Sequence, residues 1–115
     1  MYSRHYAEAI EDDPAEARLR EGAALDHSIM LMEAADAAPA STVAATQAVF
    51  FTSKLWAVLV EDLADPGNMM PQALRAQIIS IGIWILKELE RVRAGEVGSF
   101  TDVIVVSKAI RDGLP

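Results

Sequence analysis

The chain predicts an all-α fold, a compact bundle of four main helices, and three observations carry that expectation. Apolar residues recur at three- and four-residue intervals through segments too long for strands. Polar clusters holding proline, glycine and capping residues separate those segments. Alanine, leucine, isoleucine and valine dominate an apolar fraction of 52 %, while aromatics reach only 6 %, a composition suited to helices packed on helices.

The first helix is expected over about 14–38. "DDP" at Asp12–Pro14 supplies a cap followed by proline in the first turn, and Glu16 is placed to complete a capping box from Asp13. Leu25, Ser28, Ile29, Met32 and Ala35 share its core-facing side, with Ala24 and Leu31 at the edge. Ahead of it, Tyr2 to Glu11 reads as a short helix or an arm. "AAPAS" ends the first helix, and Ser41 or Thr42 caps a second over about 42–64. "DPGN" then puts proline and glycine at the two central positions of a turn, the type II arrangement. Asn68 is placed to cap a third helix over about 69–94, with Pro71 in its first turn and Gly95 as its stop. "GSFTD" supplies a second capping-box pattern, Ser99 with Asp102, for a last helix over about 100–112. The β-branched run "VIVV" argues for a strand there. However, Phe100, Val103, Ile104, Ser107 and Ile110 fall on one helical face, which decides for helix. Short loops make sequential helices antiparallel neighbours. A single helical domain over 1–115 is the expected organisation, since no repeat or low-complexity tract interrupts it.

The two middle helices carry more apolar circumference than one neighbour requires. In the second, Val49, Phe51, Leu55, Trp56, Val58, Leu59, Val60 and Leu63 cover roughly 200° when residues are placed every 100°. Thr46, Gln47, Ser53, Lys54 and Glu61 hold the rest. This helix either touches two neighbours or gives part of its arc to another protein. In the third, Leu74, Ile78, Ile79, Ile81, Ile85, Leu86, Leu89 and Val92 form a face of roughly 160° by the same projection. Gly82 lies inside that face and lets another backbone approach closely. Trp84 projects among Gln77, Ser80, Lys87, Glu88 and Arg91 on the expected wet side, with Ile83 at the edge. Either the first or last helix covers Trp84, or Trp84 and Ile83 belong to a partner-binding patch, where tryptophan is enriched. Met30 projects away from the Leu25–Met32 side and is a further contact candidate, methionine being suited to adaptable surfaces. The candidate partner-binding residues are therefore Trp84, Ile83, Ser80, Gln77, Phe51, Leu55, Val58 and Met30.

Charge narrows the partners. With 17 acidic and 10 basic side chains the formal net charge is −7, which repels phosphate backbones and anionic lipid, and no basic stripe offsets it. Direct nucleic-acid and membrane binding are therefore not expected. Cysteine is absent, which excludes disulfides, thiolate nucleophiles and cysteine-held metals. The N-terminus lacks the apolar core of a signal peptide and carries Glu8, Glu11, Asp12 and Asp13. The uninterrupted run "IGIWIL" is far short of the roughly 20 residues a bilayer span needs. A soluble, cytoplasmic protein is expected. His5 and His27 belong to no metal-binding spacing, and no GxSxG, GxGxxG or GKS/T sequence occurs. No enzyme activity, cofactor or metal is expected.

One long segment carries a family pattern. "FFTSKLWAVLVEDLADPGNMMPQALRAQIISIGIWIL" resembles the flagellar biosynthesis regulator FlaF family of alphaproteobacteria, and "YAEAIEDDPAEAR" and "EARLREGAALDHSIMLMEAA" fit the same pattern. Its most specific parts are Leu55-Trp56, Asp62 and Leu63 within "EDLA", Asn68 with Pro71, Leu74 and Arg75 within "LRA", and Gly82 closing "ISIG". Met70 departs from the leucine expected before the proline. The resemblance implies a small cytoplasmic factor needed for flagellin production and filament assembly. It also implies action alongside a second regulator, FlbT, which controls flagellin translation. Such a factor would either hold unassembled flagellin as a secretion chaperone and adaptor, or act on flagellin expression through FlbT or on messenger RNA. The acidic surface and the spare apolar arc favour flagellin as the partner. The sequence leaves the oligomeric state open.

Overall fold

Four helices form where apolar periodicity runs unbroken in the computed structural model, which describes residues 14–113 and side chains from Gly22 onward. They are α1 (Pro14–Ala37), α2 (Thr42–Ala64), α3 (Gln72–Arg93) and α4 (Thr101–Asp112). No strand occurs among the described residues, so "VIVV" is helical as its face required. The expectations for Tyr2–Glu11, His5 and the Asp13 cap lie outside the described residues.

Each connection has a local cause. Ser41 caps α2 by accepting from the backbone N–H of Ala44 at 3.1 Å, as its position before an apolar run implies. Between α2 and α3 the details differ from expectation. Gly67 does not adopt a positive φ, so "DPGN" is not a type II turn. Instead the Asp65 side chain accepts from Gly67 N–H at 2.7 Å, and Asn68 N–H donates to the Asp65 carbonyl. Asn68 does not cap α3 either. Its Oδ1 accepts from Met70 N–H at 2.9 Å within the loop, and α3 starts three residues later than expected, after Pro71. Proline supplies no side-chain acceptor, yet its carbonyl receives Arg75 N–H and so opens the helix. At the far end, Gly95 at φ +79° ends α3 as expected. Glu96 N–H returns to the Arg91 carbonyl and Gly95 N–H to the Val92 carbonyl, the paired bonds of a left-handed glycine terminus.

The Ser99–Asp102 capping box does not form. Helix α4 starts one residue later, and Ser99 Oγ pairs with Thr101 Oγ1. Phe100 N–H is taken instead by the Asp36 carboxylate from α1, at 2.9 and 3.2 Å. A carboxylate of another helix thus does what a local acid would do in a capping box.

The helices surround one core: Leu25, Ile29, Met32, Trp56, Ile85, Leu89, Phe100 and Val103 are buried together. Helix α2 stands between α1 and α3, α4 lies along α1, and α3 meets α4 only lightly. Three polar ties run in opposite order along α1 and α4, fixing them antiparallel: Asp26 with Arg111, Glu33 with Lys108, and Asp36 with Phe100. The core face expected for α1 is buried throughout, and Ala24 and Leu31 are half-buried at its edge. The expected α4 face is likewise buried, with Ile110 half-buried.

The middle helices depart more from expectation. Val58, assigned to the apolar arc of α2, is 59 % exposed, and Leu74 of α3 is 43 % exposed. Glu88, assigned to the wet side of α3, is buried and bonded to Arg91 at 2.9 Å. By length and composition α2 is long and apolar enough for a membrane span, although charged and polar residues interrupt its apolar run. In this fold α2 has neighbours on two sides and buries Ala48, Thr52, Trp56 and Leu63, yet only 17 % of its apolar 18-residue window is buried, and Val43, Phe50 and Val58 stay exposed.

Candidate functional site

Two apolar openings flank α3, one on each edge. The first is a cleft of about 310 Å³ between α3 and α4, formed by Ser80, Ile81, Trp84 and Val106. The light contact between these helices leaves it open. Trp84 is 39 % exposed on its rim, so the last helix covers the indole only in part. Ile83 is also exposed, but it points one helical step away from this cleft.

The second is a groove of about 860 Å³ along the seam of α2 and α3. Val49 and Ala45 of α2 and Leu86 and Val92 of α3 supply its apolar walls, and Phe50 stands at its mouth, 68 % exposed. Exposing most of a phenylalanine forgoes roughly 1–2 kcal/mol of burial, so its position calls for something to cover it. Lys54 extends over Phe50 with its ammonium 5.8 Å from the ring centroid, a cation–π distance. Across the groove, Arg93 holds Glu90 in a fork, with Nε and Nη2 at 2.9 to 3.2 Å from the carboxylate oxygens. The hydrogen bonds from Arg93, then its charge, keep the Glu90 carboxyl below the ordinary range.

The residues expected to bind a partner do not form one surface. Trp84 and Ser80 share the α3–α4 cleft, and Gln77 is exposed on the same helix. Phe51 turns toward α1, where its ring meets His27 edge-on at 4.7 Å. Leu55 packs half-buried against the core. Val58 and Met30 are exposed on other faces of α2 and α1. Phe50 was missed, although its spacing offered a signal: Val43, Phe50 and Ala57 recur every seven residues along one side of α2.

The family-pattern residues have a different destination, the α2–α3 hairpin. Arg75 Nη1 donates to the carbonyls of Leu63 and Asp65 at 3.3 and 3.4 Å, satisfying the open end of α2. Asn68 Nδ2 donates to the Asp62 carbonyl at 3.3 Å. Gly82 lies against Trp56: a Cβ there would stand 2.6 Å from Val60 Cγ2 and 2.9 Å from Trp56 Cε3. Leu63 and Trp56 are buried beside them, while Leu74 stays partly exposed. Asp62, Leu63, Asn68, Pro71, Arg75 and Gly82 therefore set the angle and depth of the hairpin, and the groove is the space that hairpin leaves along its outer seam.

Among the described residues no cluster of histidine and carboxylate side chains suits a metal ion. The model of the family described as flagellar protein FlaF matches residues 2–114. No curated protein and no solved structure gives a match.

Proposed function

The chain belongs to the FlaF family of flagellar proteins, and on that premise we propose that it is a non-enzymatic cytoplasmic factor that binds flagellin as a chaperone and adaptor. The carrying observation is the groove between α2 and α3, with apolar walls and a largely exposed phenylalanine at its mouth. Unassembled flagellin has amphipathic terminal segments that must not polymerise early. A groove of this kind receives one face of such a segment through anchors spaced by helical turns. While bound, that face is withheld from other flagellin molecules. The cleft at Trp84, on the other edge of α3, leaves a second surface for a regulator such as FlbT. Messenger RNA is a poorer occupant, because most described cations are already engaged: Arg75 by carbonyls, and Arg91, Arg93, Lys108 and Arg111 by carboxylates.

Co-purification tests this reading. The protein retains full-length flagellin and loses it when the bound terminal region is deleted. Phe50→Asp abolishes retention, while Trp84→Ala preserves it. Retention that survives both single deletions, one of each terminal region, or survives Phe50→Asp in a folded variant, overturns helix-in-groove binding.

A further inference from the structure

Lys54 is an anomaly of charge. The chain carries −7 overall, yet the mouth of the α2–α3 groove does not share that sign. Glu90 on one wall is already neutralised by Arg93. On the other wall no carboxylate of the described residues lies within ion-pair distance of Lys54, and its ammonium rests over Phe50 at 5.8 Å. Arg91, Arg93, Lys108 and Arg111 each have an acidic partner, whereas Lys87, like Lys54, has none among the described residues; Lys87 does not line the groove, so Lys54 is set apart by its position there. An ammonium held over an exposed ring at the rim of an apolar groove offers two attachments within one helical turn: a face for an apolar side chain and a charge for a carboxylate.

We propose that the groove selects an amphipathic helix carrying a carboxylate next to its apolar anchors, with the carboxylate on Lys54 and the anchors against Phe50, Val49 and Leu86. This deepens the flagellin-binding reading and rests on it. The charge complementarity does more than add an attraction. An acidic helix is repelled by most of this surface and attracted at Lys54, so the pair fixes register and direction as well as affinity. Covering the groove also removes water from the ammonium and the ring, which strengthens both the ion pair and the cation–π contact.

The test compares full-length protein, wild type, Lys54→Glu and Phe50→Ala, in calorimetric titration with full-length flagellin at low and high ionic strength. Both side chains are exposed, and circular dichroism verifies that each variant keeps its helices. Lys54→Glu is expected to weaken binding by about tenfold or more at low salt and to flatten its salt dependence. A flagellin with one acidic residue of the bound segment changed to lysine is expected to restore binding to Lys54→Glu and not to wild type. Phe50→Ala is expected to weaken binding equally at both ionic strengths. Loss with Phe50→Ala but wild-type affinity in Lys54→Glu overturns the carboxylate selection and leaves the groove reading standing. Failure of every acidic reversal to restore Lys54→Glu does the same. Wild-type affinity in both variants overturns the groove reading itself.

Discussion

Gly82 shows how much one missing methyl group decides. It sits in the middle of α3, where glycine costs about 1 kcal/mol against alanine. The helix keeps it because the ring of Trp56 and the Val60 side chain occupy the space a Cβ would need. Gly82→Ala is expected to destabilise the fold by roughly 1–2 kcal/mol, the overpacking cost outweighing the gain in helix propensity. Denaturant unfolding measures it, and a neutral or stabilised variant would refute the close approach. Trp56 itself is fully buried, and its indole N–H has no partner among the described residues, so its place rests on the packing of the ring. Gly82 is what makes that packing possible. Residues of this kind were legible in the sequence as a pattern, but their reason was not. "ISIG" and "LW" stand 26 positions apart when counted from Trp56 to Gly82, and only the hairpin turns them toward each other.

Among the elements, α4 depends on others for both its start and its place. It has 12 residues, too few to be stable alone. Asp36→Ala removes the acceptor of Phe100 N–H and is expected to cost about 1 kcal/mol, with faster amide exchange in the first turn of α4. Unchanged exchange there would show that the tie carries no weight. The sequence could not announce this cap, since the two partners lie 64 residues apart and a plausible local box was at hand in Ser99 and Asp102. Legibility follows geometry in the other helices too. The core faces of α1 and α4 were read correctly. A projection could not tell which parts of the wide arcs of α2 and α3 meet a neighbour, so Val58 and Leu74 were placed inside and Glu88 outside. In the last turns of α3, the Glu90 carboxyl is held below its ordinary 4.5 by Arg93. A depressed carboxyl stabilises the fold above its unfolded-state value, and that contribution is lost as pH falls through the lower folded value. The acid limb of unfolding should therefore flatten in Glu90→Gln between roughly pH 4.5 and the depressed value. An identical pH profile in the variant would refute the assignment.

Across the described residues, four helices form a ring with three firm seams and one slack one. Seams α1–α2, α2–α3 and α1–α4 are packed, while α3 and α4 barely touch and leave the Trp84 cleft between them. The groove and the cleft thus differ in kind. The groove lies along the best-packed seam and keeps its shape, whereas the cleft's width follows the position of α4. Lodging something in the cleft would press the last helix outward against its seam with α1. Warming should do the same without any occupant: the terminal helix is the first piece to peel away, baring Phe100 and Val103 while α1 to α3 remain folded. Amide exchange of α4 at temperatures below the main transition reads that early melting directly, and exchange as slow as in α2 would mean that the ring opens nowhere first.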